Sequence, residues 1–340
     1  MEKLVSVLGV LSPLLLLVAA GYFSRKLNYF PKSAADGIAV FITKLAIPVS
    51  LFTLISSQDL GQILDLRLIL GYALATAGIA IISFFIALYF LNASSLRAMT
   101  IAFGSSTSNA VMIGFALMIA SPAFGAAGPK ALTILFLVQS CVMVPVKLAL
   151  WRGLKNGSSI NLGQVAGLLV QSVKNPIIAS ILGGMAVALL RLAIPDPITL
   201  SISNHMSQPW LLPLTDGVAT AANFISRSAA GLALFFIGST LFGANIWSAD
   251  RQVIYTMFLK LIGHPLLMLI AMYSVYVISG PGFDWETARA CVALAAIPMV
   301  SVYPAVAATF GEEKFASKSS TLTLVFGAFS LTAILLLTLP

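Results

Sequence analysis

Long stretches without charged residues recur along this chain, and they limit its fold more than any other feature. Of its 340 residues, 59% are hydrophobic and only 9% are charged, whereas a soluble domain carries about a quarter charged residues. A chain with so few charges cannot cover a surface that faces water, so lipid must solvate most of it. The sequence therefore predicts an all-α integral membrane protein.

Ten apolar stretches are long enough to cross a bilayer, which takes about 20 helical residues. They are 5–24, 36–56, 66–91, 96–119, 130–151, 166–191, 217–243, 251–278, 287–309 and 318–339. Residues 193–216 hold four prolines among polar residues and predict a loop, with an interfacial piece around Trp210. The chain thus divides into two five-helix halves, 1–152 and 166–340, joined by a short cytoplasmic linker at 153–165.

The distribution of basic residues predicts the orientation. With the N-terminus outside, the cytoplasmic connections hold nine Lys and Arg residues, and the outer connections hold five. Because cytoplasmic loops are enriched in Lys and Arg, we expect both termini of a ten-helix chain to lie outside. The net charge of +8 does not indicate a nucleic-acid partner, since the basic residues are scattered at helix ends and form no patch.

An internal repeat relates the two halves. Residues 41–57 and 224–240, offset by 183, share six identical residues and align Lys44 with Arg227. Each copy is the second span of its half, and five is an odd number, so the two halves cross the membrane in opposite senses. Inverted repeats of this kind are typical of secondary transporters, in which exchanging the roles of the halves gives two conformations. The predicted fold is therefore a 5+5 inverted repeat.

The fourth span of each half is interrupted near its middle. Residues 104–109 read GSSTSN, and residues 298–304 read PMVSVYP. Ser, Thr and Asn compete for backbone hydrogen bonds, and proline removes a donor and disfavours helix before it. Non-helical backbone at that depth is tolerated where it lines a cavity or is buried in protein. The alternative is a pair of kinked helices that pack on their neighbours.

These interruptions predict that the unwound parts of helices 4 and 9 form a central binding site. Backbone amides freed at half-helix N-termini carry partial positive charge and suit an anion. Gln139, in the middle of the fifth span, either contacts the substrate or makes an interhelical hydrogen bond. The candidate substrate-binding residues are Ser105, Ser106, Thr107, Ser108, Asn109, Gln139, Pro298, Met299, Val300, Ser301 and Tyr303.

Lys44, Lys147, Arg227, Lys260 and His264 lie well inside the predicted spans. Lys44 and Arg227 either attract an anion into the cavity or extend their side chains back to the membrane surface or to a scaffold partner. Lys147 and Lys260 are interpreted as snorkelling side chains. His264 is either a coupling residue, since histidine titrates near neutral pH, or a simple hydrogen-bonding group.

Several groups are absent from the predicted spans. None of the spans clearly contains an Asp or Glu, so a carboxylate proton relay is missing. Coupling would then use sodium on neutral oxygens, His264 or the membrane potential.

Cys141 and Cys291 have no metal-site spacing, and sodium is the sole cofactor left open. The chain lacks HExxH, GxSxG and paired intramembrane carboxylates, so no enzyme is predicted.

The order and spacing of short motifs resemble the auxin efflux carrier family, which includes plant PIN-type carriers and bacterial permeases for malonate, malate and similar acids. The motifs are Ser12-Pro13-Leu14-Leu15 and Gly21-Tyr22 in helix 1, Ile47-Pro48 in helix 2, 108–114 in helix 4, Leu137-Val138-Gln139 in helix 5, Lys174-Asn175-Pro176 in helix 6, Ala230-Gly231-Leu232 in helix 7 and Ala296-Ile297-Pro298 in helix 9. Two features depart from the family. Ser-Asn-Ala replaces the frequent Pro-Asn-Thr at 108–110, and segment 66–91 lacks the acidic residue of PIN-type carriers.

The resemblance implies a ten-helix fold like that of bile-acid symporters and sodium/proton antiporters, with helices 4 and 9 crossed. It also implies a scaffold of helices 1, 2, 6 and 7, a moving core of helices 3–5 and 8–10, and a homodimer surrounded by membrane lipid. The short linker at 153–165 favours a bacterial inner-membrane permease over a plant hormone carrier.

The sequence therefore predicts a secondary transporter for a small mono- or dicarboxylate, such as malonate, malate or an auxin-like acid, that works by an elevator-type mechanism. A sodium-coupled bile-acid-type symporter or a cation/proton antiporter on the same fold is the alternative, and the missing carboxylates argue against the antiporter. A receptor that binds without transporting is the third hypothesis, although the loops are too short to hold a sensing domain.

Overall fold

The computed structural model describes residues 2–58, 61, 64–120, 122–157, 162–193, 212–243 and 250–338, and the regular structure in this part is helical. The helices are α1 (Glu2–Lys26), α2 (Lys32–Ser57), α3 (Leu66–Tyr89), α4 (Ser95–Ser105), α5 (Ala110–Ile119), α6 (Ala127–Asn156), α7 (Leu162–Ser172), α8 (Pro176–Ala193), α9 (Leu212–Leu241), α10 (Arg251–Ser279), α11 (Trp285–Ala296), α12 (Tyr303–Ala308) and α13 (Glu313–Thr338).

Most predicted spans appear as single helices. Within the described ranges, seven helices are long and apolar enough to cross a membrane: α1, α2, α3, α6, α9, α10 and α13. The predicted span 166–191 is bent by 84° between α7 and α8, and this pair is an eighth span if it counts as one. The two remaining predictions, 96–119 and 287–309, are the interrupted pairs α4/α5 and α11/α12. The all-helical membrane architecture is confirmed.

The predicted loop at 193–216 lies largely outside the described residues, as does Trp210, but the chain is helical from Leu212 onward. The linker predicted at 153–165 is shorter in the structure, because α6 continues to Asn156 and α7 begins at Leu162. Gly157 ends α6 in the left-handed conformation, with φ of 63°, which glycine adopts without a Cβ clash.

Three long helices continue through an internal proline because a wide turn precedes it. Segments of π-helix, called π-turns below, occur at Ile42–Ala46, Phe136–Met143 and Leu259–Gly263. Pro48, Pro145 and Pro265 each lie two residues after the end of one of these segments. A proline ring clashes with the carbonyl four residues earlier in a regular helix. In all three cases that carbonyl belongs to the π-turn, where the wider winding accommodates the ring.

The helices form two groups by their contacts. In one group α1 packs along α9, and α2 packs along α8 and α9. In the other group α3 packs on α4 and α10, α11 packs on α6, α10 and α13, and α12 packs on α13. Contacts between the groups are less extensive, and α5 against α9 is the main one.

The first group contains the same close packing twice. A Cβ atom added to Gly21 of α1 would lie 2.0 Å from the backbone oxygen of Phe235 in α9. A Cβ atom added to Gly184 of α8 would lie 3.1 Å from the backbone oxygen of Phe52 in α2. Phe52 and Phe235 are equivalent positions of the internal repeat. Each contact joins one helix from each half of the chain.

Polar contacts fix the outer ends of the two broken helices. At the start of α4, Arg97 pairs with the carboxylate of Glu312. At the start of α11, Asp284 accepts a 3.0 Å hydrogen bond from the Thr287 backbone N–H and lies 3.5 Å from the Lys130 ammonium. Partial burial raises the pKa of Asp284. The Thr287 hydrogen bonds and the Lys130 charge lower this pKa by a larger amount, so it lies below its ordinary value.

We expect Gly238→Ala to destabilise the protein. A Cβ atom there would lie 1.9 Å from the backbone oxygen of Val18, so α1 and α9 would have to separate. Overpacking of this kind costs about 1–3 kcal/mol. The measurement is the thermal unfolding of the purified protein in detergent.

Gly231→Ala is the matched control, because it lies on the same helix and its Cβ would meet no atom within 4 Å. It should keep or raise the melting temperature, since alanine is favoured over glycine in a helix by about 0.5–1 kcal/mol. Equal behaviour of the two variants would contradict the close packing of α1 on α9.

Candidate functional site

The two interrupted helices meet at their unwound segments. Ser108 and Met299 form an isolated antiparallel β-bridge. The Asn109 N–H donates to the Pro298 carbonyl at 2.9 Å, and the Val300 N–H donates to the Thr107 carbonyl at 3.2 Å. Buried backbone groups need hydrogen-bond partners, above all where water is excluded. The two segments provide partners for each other, so neither break is stable without the other.

Hydroxyl and amide side chains end the half-helices at the crossing. The Ser106 and Thr107 hydroxyls donate to the carbonyls of Ala102 and Phe103 at 2.5 and 2.6 Å, and they satisfy the last turn of α4. The Asn109 side-chain oxygen accepts from the Met112 N–H at 3.3 Å and caps the start of α5. The polar run at 104–109 therefore stabilises the break as well as causing it.

Gln139 holds the unwound backbone of the first segment. Its side-chain oxygen accepts from the Ser108 N–H and its side-chain nitrogen donates to the Ser108 carbonyl, both at 2.8 Å. Gln139 is almost fully buried and lies in the π-turn of α6. The interhelical hydrogen bond is therefore present, and Gln139 also lines the cavity described below.

Asn109 joins the two segments through side chains. Its Nδ2 donates to the Ser301 hydroxyl at 2.7 Å, and both residues line two neighbouring cavities. The pair therefore links the two unwound segments where the two cavities adjoin.

The snorkelling interpretation is wrong for both Lys147 and Lys260. Lys147 is only 4% exposed, and its ammonium donates to the Ser106 and Thr107 hydroxyls at 3.0 and 2.6 Å. Lys260 is fully buried, and its ammonium donates to the Ser108 hydroxyl at 2.6 Å. Both side chains extend toward the crossing and not toward the membrane surface, because the polar run offers them hydrogen-bond acceptors.

His264 lies beside Lys260, one helical turn further along α10. Its Nδ1 is 3.0 Å from the Lys260 ammonium, and its Nε2 has no hydrogen-bond partner among the described residues. If Lys260 carries its ammonium charge it can only donate, and Nδ1 is then the acceptor with the ring proton on Nε2. The imidazole orients Lys260 and is not itself among the residues that line the two cavities.

Two neighbouring cavities share Asn109 and Ser301 in their linings. The larger has a volume of about 400 Å³ and the smaller about 220 Å³. Thr43, Lys44, Thr107, Ser108, Asn109, Gln139, Ser140, Asn175 and Ser301 contribute the polar and charged lining of the larger cavity. Thr240, Ser317, Ser320 and Thr321, with Asn109 and Ser301, contribute that of the smaller cavity. Among the residues that the structure describes, neither lining contains an Asp or Glu.

The cavities lie on one side of the crossing. They are lined by the later parts of α6 and α9 and the first parts of α8 and α13. On the other side, residues 113–118, 131–136 and 290–297 are all buried. The two cavities therefore lie on the side of the crossing opposite these buried stretches.

The structure separates the candidate substrate-binding residues into two sets. Thr107, Ser108, Asn109, Gln139, Met299, Val300 and Ser301 line one or both cavities. Ser105, Ser106, Pro298 and Tyr303 line neither and make packing or hydrogen-bond contacts instead. Tyr303, for example, is fully buried, stacks on Phe103 and donates to the Thr100 carbonyl at 2.8 Å.

The aligned basic pair occupies two different environments. Lys44 is exposed and lines the larger cavity. Arg227 is exposed and is not among the residues that line either cavity. Of the two aligned cations, Lys44 lines the larger cavity and Arg227 does not.

Sequence reasoning missed two parts of the lining. Asn175 and Pro176, at the 84° bend between α7 and α8, line the larger cavity, and an Asn-Pro pair inside an apolar stretch is a signal for such a bend. The hydroxyl residues of α13 that line the smaller cavity gave no such signal, since Ser and Thr also occur at ordinary helix starts. Among the described residues, His, Cys, Asp and Glu form no cluster suited to a metal ion.

We expect Gln139→Leu to lower the melting temperature substantially. It would leave the Ser108 N–H and carbonyl without partners, at a cost of about 1–3 kcal/mol for each buried group. Thermal unfolding in detergent measures the effect, and Gln171→Leu, at an exposed glutamine of α7, is the control. If the melting temperature of Gln139→Leu equals that of the control within error, the two hydrogen bonds from Gln139 to the Ser108 backbone do not stabilise the protein.

Comparisons with known proteins agree with this geometry. A family model described as "Membrane transport protein" matches residues 6–335. The "Uncharacterized transporter YfdV" of Escherichia coli (strain K12) is 23% identical over 269 residues, which cover 77% of each chain. The "Putative malonate transporter" of Rhizobium meliloti (strain 1021) is 24% identical over 291 residues, which cover 85% of this chain and 82% of that protein. The resemblance to the auxin efflux carriers is confirmed, and the chain belongs to this family of membrane transport proteins.

Proposed function

We propose that the protein is a secondary transporter that moves a small organic anion, a mono- or dicarboxylate, through the crossing of its two broken helices. The observation that carries the proposal is the chemistry of the larger cavity. Its lining combines unwound backbone, hydroxyl and amide side chains and the Lys44 ammonium, and it contains no carboxylate. Such a lining attracts a negative solute and offers it hydrogen-bond donors.

The donors that would face a carboxylate lie on both unwound segments. The Ser108 hydroxyl accepts a hydrogen bond from Lys260, so its own proton is left for another acceptor. The N-terminus of α5 begins directly after Asn109, and its helix dipole adds positive potential at the cavity. Lys147 and Lys260 add positive charge directly behind Thr107 and Ser108.

The size of the cavity supports a small substrate. Sites for small molecules have volumes of about 300–1,000 Å³, and the larger cavity, at about 400 Å³, is near the lower end. The name of the Rhizobium meliloti relative mentions malonate, a three-carbon dicarboxylate that fits this range. Malonate and malate are therefore the first substrates to test, and an auxin-like acid is the third.

We further propose the 5+5 inverted repeat and an elevator-type movement. The Gly21–Phe235 and Gly184–Phe52 contacts support the repeat, because each joins a glycine in the first span of one half to the repeat phenylalanine in the second span of the other. The limited contacts between the two helix groups support a movement of the group that holds the crossing against the group of α1, α2, α8 and α9. The shared location of both cavities supports a state that is open to one side, the cytoplasm in the predicted orientation.

The proposed location is a bacterial inner membrane, in line with the bacterial sources of the relatives. The homodimer and the positions of the termini remain predictions from the sequence.

Asn109 provides the test. We expect Asn109→Ala and Asn109→Asp to abolish uptake of radiolabelled malonate or malate by proteoliposomes. Both variants lose the Nδ2 donor to Ser301, and the aspartate also brings a negative charge against the substrate. Asn109→Asp keeps the oxygen that caps α5, so its fold should persist, with a melting temperature near that of the wild type.

Asn156→Asp, at an exposed asparagine near the end of α6, is the matched control and should transport normally. A melting-temperature screen of mono- and dicarboxylates on the purified wild type selects the probe. Normal uptake by folded Asn109→Asp would refute the site, and a wild type that neither binds nor transports any carboxylate would refute the function.

A further inference from the structure

Each half-helix that ends at the crossing has a buried lysine at its C-terminus. α4 ends at Ser105, and the Lys147 ammonium lies 3.0 Å from the Ser106 hydroxyl and 2.6 Å from the Thr107 hydroxyl. Those hydroxyls in turn donate to the carbonyls of Ala102 and Phe103, in the last turn of α4. The positive charge of Lys147 therefore polarises two hydrogen bonds that run into the C-terminal end of the helix.

Lys260 has the same relation to the other half-helix. α11 ends at Ala296, and the Lys260 ammonium donates to the carbonyl of Ala295 at 3.0 Å. Its other two partners are the Ser108 hydroxyl at 2.6 Å and His264 Nδ1 at 3.0 Å. The three N–H groups of an ammonium are thereby used, and the charge links the C-terminus of α11 to the unwound segment of the other helix.

These two charges are balanced by helix ends and not by side chains. The ion pairs found among the described residues join Arg67 to Asp65, Arg97 to Glu312 and Lys130 to Asp284, and neither buried lysine takes part in one. A helix C-terminus carries a partial negative charge, which favours a cation. Carriers with broken helices use such carbonyl ends to coordinate the ions that drive them.

We propose that Lys147 and Lys260 are built-in counter-cations, whose ammonium groups occupy the places at the half-helix C-termini where a sodium-coupled carrier would bind its ions. The carrier then moves its anion without sodium. A bound ion enters and leaves in every cycle and so transmits the energy of its gradient, but a lysine side chain cannot leave. The inference rests on the proposed function, because it describes how that same crossing is coupled.

The first test measures uptake of radiolabelled malonate by proteoliposomes. Wild-type uptake should be equal in sodium and in choline buffers. Lys260→Ala and Lys147→Ala should reduce uptake by about tenfold or more, because removing one partner of a buried charged contact is strongly unfavourable. Lys314→Ala, at an exposed lysine at the start of α13, should have no effect.

The second test measures stability and does not depend on transport. Lys260→Ala leaves a space bordered by the Ala295 carbonyl, the Ser108 hydroxyl and His264 Nδ1. A free cation should fill it, so methylammonium or sodium should raise the melting temperature of Lys260→Ala. Neither salt should raise that of the wild type or of Lys314→Ala above the effect of choline.

Three outcomes would overturn the proposal: wild-type uptake that requires sodium, wild-type uptake rates of Lys260→Ala in choline buffer, or a Lys260→Ala protein whose melting temperature responds to neither cation. If Lys260→Ala does not fold in plain buffer, expression and purification with methylammonium should recover folded protein, and failure there also overturns it. If the wild type transports no carboxylate, the proposed function fails while the stability test still decides this inference.

Discussion

The rest of the structure depends on one constraint: backbone that leaves the helix in the middle of a membrane must find every hydrogen-bond partner inside the protein. The crossing meets it with groups distant in sequence. The two unwound segments bond to each other, and Gln139 takes both backbone groups of Ser108. The packing of α6, α10 and α11 around the crossing keeps these partners in place.

The same constraint separates the charges of the site. The negative C-terminal ends of α4 and α11 face Lys147 and Lys260, which are buried. The N-terminus of α5 and the Lys44 ammonium lie at the cavity. In the proposed function Lys147 and Lys260 neutralise the negative helix ends, and positive potential remains at the cavity where an anionic solute would bind.

The sequence predicted the membrane class and the positions of both breaks, because composition and the runs GSSTSN and PMVSVYP act locally. It also placed Asn109 and Ser301 in one site. It failed for Lys147 and Lys260, since depth along a helix does not tell whether a side chain turns toward lipid or toward acceptors on a helix dozens of residues away. The bend at Asn175-Pro176 had a local signal in its Asn-Pro pair, whereas the second cavity depends on which helix faces meet.

The glycine contacts between α1 and α9 have a consequence for how the molecule can move. At Gly21 and Gly238 the neighbouring helix presents its main-chain oxygen where a side chain would stand. Two helices whose backbones are in such close contact leave no room for lipid chains between them. They cannot slide along each other unless they first separate. This pair is therefore rigid, and the proposed movement would take place between the two helix groups, whose mutual contacts are less extensive.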